Sequence, residues 1–245
     1  DGIRDDLVTG VRRVLFRSEL HLSSGAKDAL VEGTASYNVF DLKPEIEITD
    51  NRIQISNGNL EINGIPSFDE KLENTWKLDL GSDPIDLSIK AGAYKGEFDL
   101  GDLNLVNLHI TDGAADVELD FSEPNLTDMR TLRYESGASN IKMTNLGNAH
   151  FSTLIFQGGA GNYELDFSGD LQADAEVFIE TGLSSITLTA PSNFNVQLKV
   201  EGGLSNVSPH GDWEGSGSRY SLDGDGPTLI IDVEMGAGNL DLRDR

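Results

Sequence analysis

LIFQGGAGNYELDF (154–167) and VFIETGLSSITLTA (177–190) can be laid over one another without a gap. In both, apolar residues stand five and three places before a glycine and four and six places after it. They are Leu154, Phe156, Tyr163 and Leu165 around Gly159, and Val177, Ile179, Ile186 and Leu188 around Gly182. Alternation with a period of two marks a strand with one buried face, and a glycine between two such runs marks a corner. Working outward, the same frame fits at Gly92, Gly113, Gly137, Gly203 and Gly236, the seven glycines being separated by 21, 24, 22, 23, 21 and 33 residues. All fourteen frame positions before the glycines are apolar or aromatic; of the fourteen after them, Gly96 and Pro209 depart.

Such a repeat has two physical solutions. In an antiparallel meander each unit is a hairpin; in a parallel solenoid each unit is one coil, and equivalent residues lie about 4.8 Å apart in neighbouring coils. The corners decide between them. Ala93, Ala114, Ala138, Ala160 and Ala237 follow their glycines directly, and Asn140, Asn162, Asn206 and Asn239 stand three places after theirs. Independent hairpin turns have no reason to agree in this way, whereas stacked corners must. The expected fold is all-β: a single-stranded parallel β-solenoid, right-handed, with seven coils of 21–24 residues and a less regular N-terminal cap.

Four regions follow from this frame: N-terminal strands and cap (1–75), regular solenoid (76–210), a glycine-rich loop (211–227) and a terminal strand pair (228–245). Within the first, residues 5–20 read as an entering strand and VEGTASYNV (31–39) as a degenerate corner around Gly33. EIEI (45–48), RIQI (52–55) and NLEI (59–62) read as short strands. Ile179 is expected inside and Thr181 outside. The corner asparagines are expected to turn into the bend and bond the main chain, so that Asn162→Ala costs more stability than Asn148→Ala in a connecting loop.

Forty-two acidic against 18 basic side chains leave a formal charge of −24, which argues against nucleic-acid binding. The absence of cysteine excludes disulfides, thiolate chemistry and Cys-ligated metals. No run of 18 apolar residues is present to span a bilayer as a helix. The start at Asp1, without a basic-then-apolar leader, is the appearance expected of an extracytoplasmic chain whose signal peptide or anchor has been removed.

Catalytic patterns are sparse. GxSxG, GxGxxG and the phosphate-binding GxxxxGK[ST] do not occur, and His21, His109, His150 and His210 are scattered, as surface histidines would be. Outward rows Asp116, Glu118, Asp120 and Glu164, Asp166 keep open a polysaccharide-acting enzyme with paired carboxylates, although a solvated acidic face has the same appearance. LDGDGP (222–227) offers Asp223 and Asp225 as a weak calcium candidate, without the further acceptors of a calcium loop. Trp213 and Tyr220 lie in the glycine-rich loop, as a lid over the core or as an interaction surface. No catalytic residue, cofactor or metal ligand is otherwise assigned.

SELHLSSGAKDALVEGTASYN (18–38), NTWKLDLGSDPIDLSIKAGA (74–93) and GDLNLVNLHITDGAADVELDFSEPN (101–125) resemble the bacterial toast-rack family of cell-envelope proteins. The pattern continues through 146–171 and 177–203. The resemblance implies a solenoid-like domain, adhesin-like or linked to envelope-stress signalling, with no catalytic residues to carry over. It implies a protein or cell-surface glycan as partner. The Gly-Ala-Gly corner of that pattern is intact at 159–161 and 236–238 but reads Gly-Ala-Tyr at 92–94 and Gly-Ala-Ala at 113–115. The membrane helices of the antibiotic-response relatives have no counterpart in this chain, which leaves scaffold or adhesion as the expected role.

Overall fold

A computed structural model describes residues 7–12, 18–49, 52–57 and 73–245. The strands before the repeat are β1 (Leu7–Arg12), β2 (Ser18–Ser24), β3 (Val31–Tyr37), β4 (Pro44–Thr49), β5 (Arg52–Asn57) and β6 (Asn74–Leu80). The glycine frame then occupies β7 (Ile85–Asp99), β8 (Leu105–Asp120), β9 (Met129–Thr144), β10 (Phe151–Asp166), β11 (Ala175–Ala190) and β12 (Asn195–Pro209). A short hairpin, β13 (Glu214–Ser216) and β14 (Arg219–Leu222), precedes β15 (Thr228–Asp244), which carries the frame again.

From β7 to β11 sequence neighbours pair in parallel, in the register the frame predicts. Leu87 meets Leu108, Leu108 meets Leu132, Leu132 meets Leu154, and Leu154 meets Val177. Each long strand runs through its glycine without interruption, so one strand lines two sides of a coil and a short connection closes the third. Every frame residue five or three places before a glycine is buried, from Leu87 and Ile89 to Ile231 and Val233. Phe121, Leu146, Phe167 and Phe194 seal the core from the connections. Gly96, an exception to the frame, still faces inward: a β-carbon there would stand 2.9 Å from the rings of both Tyr94 and Phe98, which take its space.

The glycines are required by approach rather than by a left-handed backbone. A β-carbon on Gly113, Gly137, Gly159 or Gly182 would lie 2.8, 2.4, 2.2 or 2.7 Å from the carbonyl oxygen of the glycine one coil below. No real β-carbon tolerates a backbone oxygen that close, so each corner can rest on the next only where the side chain is missing.

The order of the stack departs from the order of the sequence at both ends. β15 is inserted between β11 and β12, with Val177 against Ile231 and Leu198 against the other edge of Ile231. The 228–245 segment is therefore an interior coil and not a terminal one. The frame permits this because Ile231 and Val233 present the same apolar spacing as the coils on either side. At the other end β1 pairs with the first half of β7 and β2 with its second half, so these two pieces make one split coil in place of the single strand read over 5–20. β5 and β6 extend it. β4 on β5 and β3 on β6 then close the stack in antiparallel sense.

Gly33 is consequently not a corner. It lies in β3 opposite Leu78, and a β-carbon there would meet the Lys77 carbonyl oxygen at 2.2 Å. The EIEI and RIQI stretches are β4 and β5; NLEI (59–62) lies outside the described residues. The expected loop at 211–227 contains the β13–β14 hairpin, whose β14 pairs antiparallel with β12. Thr181 is buried, 5% exposed, because inward alternation continues from Ile179 through one more position before the corner.

The asparagine row also differs from expectation. Asn140, Asn162, Asn206 and Asn239 point outward, and Asn162 Nδ2 donates to Asn140 Oδ1 of the neighbouring coil at 3.0 Å. The asparagines that bond the main chain belong to the connections. Asn125 donates to the Leu105 and Thr127 carbonyl oxygens and accepts from the Leu105 N–H at 2.9 Å, wholly buried. Asn148 donates to the Phe121 carbonyl oxygen and accepts from the Asp170 N–H, both at 2.9 Å, tying three coils together.

Removing a buried bonded amide costs about 1–3 kcal/mol, and an exposed one much less. Asn125→Ala is thus expected to lower unfolding stability by that amount, half-buried Asn148→Ala by about 1 kcal/mol, at the low end of it, and Asn162→Ala by under about 0.5 kcal/mol. Urea unfolding of the three variants reads this directly; an equal shift for all three would contradict it. In the same assay Gly159→Ala should destabilise more than Ala160→Gly, because its methyl would be driven into the Gly137 carbonyl.

Candidate functional site

Positions directly before the corner glycines face inward, and several are polar. Asp112 on β8 is 7% exposed. Its Oδ2 accepts from the Tyr134 hydroxyl at 2.7 Å, and its Oδ1 accepts from Ser136 Oγ and, at 3.3 Å, from Ser139 Oγ. Ser139 Oγ in turn accepts from the Ala115 N–H at 2.9 Å. One coil on, Gly158 and Gly161 leave the space into which Tyr163 reaches, its hydroxyl 2.7 and 3.0 Å from where their β-carbons would stand. In the next coil Ser184 Oγ donates to Thr181 Oγ1 at 2.8 Å. A polar spine therefore runs beneath the corner through an otherwise apolar core, broken at the Tyr163 hydroxyl, which is buried without a hydrogen-bond partner.

Burial raises the Asp112 carboxyl above the usual carboxylate range, against the opposing hydrogen bonds from Ser136, Tyr134 and Ser139. Burial likewise pushes the Tyr134 hydroxyl up, with Tyr94 and Asp112 adding to it, so that it remains a proton donor to Asp112. The frame reading passed over this cluster, although its parity was available: Asp112, Ser136 and Thr181 stand two places after inward residues.

Asp112, Ser136 and Thr181 of the spine line an open groove of about 720 Å³ together with Gly137, Gly158, Gly182 and Gly236 and the wall residues Glu135, Gln157, Glu180 and Glu234. These wall residues occupy one register row. Arg133 donates to Glu135 Oε1 and to Gln157 Oε1 at 2.7 Å; Gln157 Nε2 donates to Glu180 Oε2 at 2.8 Å. His109 Nε2 lies 3.1 Å from Glu135 Oε2. Hydrogen bonds from Arg133, then His109, hold the Glu135 carboxyl down at about 2. Four coils are locked side chain to side chain across this face. Beside the ladder Phe178 is 41% exposed, and at the corner Leu183 is 66% exposed.

Glu118 and Asp120 on β8 each stand in register with a carboxylate on β7, Glu97 and Asp99. Lys142 stands in register between Glu118 and Glu164, and Asn140 lies in register with Asp116. Asp120 accepts from Thr144 and Asn145, both at 2.7 Å, and Asp166 meets Arg245 at 3.1 Å. Asp223 and Asp225 are exposed on the turn before β15, and among the described residues no three His, Asp or Glu side chains converge as metal ligands. Trp213 and Tyr220 are both buried, and β14 carries Tyr220 onto Leu198 of β12.

The resemblance read from the sequence holds in its N-terminal half: residues 16–131 match the family described as N-terminal domain of toast_rack, DUF2154. No curated protein matches the chain. Among solved structures, a protein provisionally assigned to cell adhesion from Clostridium sporogenes is 20% identical, with a TM-score of 0.48 over 98% of this chain and 93% of that one. A protein provisionally assigned as an adhesin from Bacteroides fragilis is 10% identical, with a TM-score of 0.33 and the same coverage. Among the described residues no helix is long and apolar enough to cross a membrane.

The Asp112 cluster gives a pH prediction. A carboxyl whose folded pKa lies above its unfolded value, ordinarily about 3.9, weighs against folding while ionised, and that cost is relieved as pH falls through the raised pKa. Relative to Asp112→Asn, the native protein should therefore gain stability between pH 7 and pH 4. Parallel denaturation curves for the two proteins at each pH test it; a difference independent of pH would contradict it.

Proposed function

We propose that this chain is a non-catalytic, extracytoplasmic interaction scaffold, adhesin-like in role, which presents side-chain ladders on a right-handed β-solenoid of seven glycine-cornered coils. The observation that carries this reading is the His109–Glu135–Arg133–Gln157–Glu180 ladder, hydrogen-bonded from coil to coil, with exposed Phe178 alongside. Side chains held in place before a partner arrives lose little entropy on binding, and an exposed aromatic is a common anchor of an interface. Parallel strands joined in one sheet by crossovers take the right-handed course in nearly all folds, which supports the stated hand. The toast-rack match supports placement outside the cytoplasm, with a cell-surface glycan or an envelope protein as partner. A contribution to envelope-stress signalling would run through such a partner.

Isolated bacterial cell envelopes should retain the purified chain, and Phe178→Ser combined with Arg133→Ala should reduce retention about tenfold, with little change in melting temperature. Incubation with polysaccharides should release no reducing ends. Release that disappears on Glu164→Gln or Asp166→Asn would replace this reading with the glycosidase.

A further inference from the structure

The β13–β14 hairpin interrupts the repeat, and beside it lies a second depression of about 470 Å³, lined by Ser192, Gly211, Asp212, Trp213, Glu214, Leu222 and Asp223. Three parts of the chain form it. The connection after β11 supplies Ser192, the hairpin supplies Trp213, Glu214 and Leu222, and the last residue of β15 fixes the turn at its entrance. There Asp244 Oδ2 accepts from the Asp212 N–H at 2.8 Å. Gly211 adopts φ +78°, and a β-carbon on it would collide with the Asp244 carboxylate.

Two independent features of this pocket point to a ligand. Its rim carries the carboxylates of Asp212, Glu214 and Asp223, none in an ion pair among the described residues. Its inner wall is the indole of Trp213, 7% exposed, whose Nε1–H is buried without an acceptor. A buried indole N–H normally has a partner, and leaving it unpaired is costly. The carboxylates do not converge as metal ligands, which argues for a larger ligand with donors of its own. Carboxylates accept two adjacent hydroxyls at once, while the indole and Leu222 offer an apolar surface and the free N–H a donor. The volume lies within the roughly 300–1,000 Å³ of small-molecule sites.

We propose that this pocket binds a sugar residue of a glycan, with Asp212, Glu214 and Asp223 accepting from its hydroxyls and Trp213 Nε1–H donating to one of its oxygens. The proposal rests on the scaffold reading and specifies one class of its partner. Cellohexaose, mannohexaose, galactan oligomers and N-acetylglucosamine tetramer are the probes, titrated calorimetrically into the full chain. At least one should give saturable heat. Glu214→Gln with Asp223→Asn should weaken that binding at least tenfold, and Trp213→Phe, which keeps an aromatic ring packed there but drops the donor, should weaken it severalfold with an unchanged melting temperature. Saturable binding that all three substitutions leave unchanged overturns the pocket and leaves the scaffold reading intact. No heat with any probe also overturns the pocket, and envelope retention then decides the scaffold reading separately. Saturable heat with calcium ions in place of the sugars would assign the carboxylates to a cation and overturn the proposal.

Discussion

At the corners of Gly113, Gly137, Gly159, Gly182 and Gly236, a backbone carbonyl oxygen of the neighbouring coil occupies the space in which a β-carbon would stand. This steric condition fixes the register of the coils from β7 to β11 and of β15 upon them. Once the glycines are in contact, residues three and five places before them can only lie over their counterparts, and the two inner faces fill with a continuous apolar column. The polar spine of Asp112, Ser136, Ser139, Thr181 and Ser184 depends on the same condition. A narrow corner places inward side chains from both arms of a strand close enough to satisfy one another, so a carboxylate survives there on hydroxyl donors alone.

The corners were legible because they repeat. Leu154 over Val177 and Leu132 over Leu154 follow from the spacing of the glycines without further assumption, and the parallel pairing follows from the agreement between corners. Neighbour order was not legible at β15. A frame that makes all coils alike contains no information about which coil adjoins which, and Ile231 is as good a neighbour for Val177 as Leu198 is. The N-terminal coils escaped for a related reason: β1 with β2, and β5 with β6, divide one coil between two separate segments, leaving no glycine frame to recognise.

The candidate sites were legible only in part. Trp213 drew notice as an aromatic outside the frame, but its burial and its unpartnered N–H depend on the hairpin folding back against β12. The asparagines illustrate the limits of a row read from composition. Asn140 and Asn162 share a register and bond one another at the surface. Asn125 and Asn148, which hold the connections, occur once per loop at unequal offsets and produce no pattern. The Glu135–Gln157–Glu180 ladder was hidden in the same way, since its members differ in type and become a row only when the strands are in register.

The insertion of β15 between β11 and β12 also bears on how the chain folds as it is made. During synthesis from the N-terminus, β12 emerges before the strand that must separate it from β11. Those two are similar enough to associate prematurely, with Val177 and Ile179 meeting Leu198 and Val200 directly. Folding at this end then has to be reversible or delayed, and contacts of high sequence separation close slowly in any case. The 210–227 span, with its glycines and its small hairpin, gives β15 the slack to return to the gap. The native stack is thus completed from its interior, and a nascent chain halted before residue 228 would hold a closed but non-native pairing that the remaining residues would have to reopen.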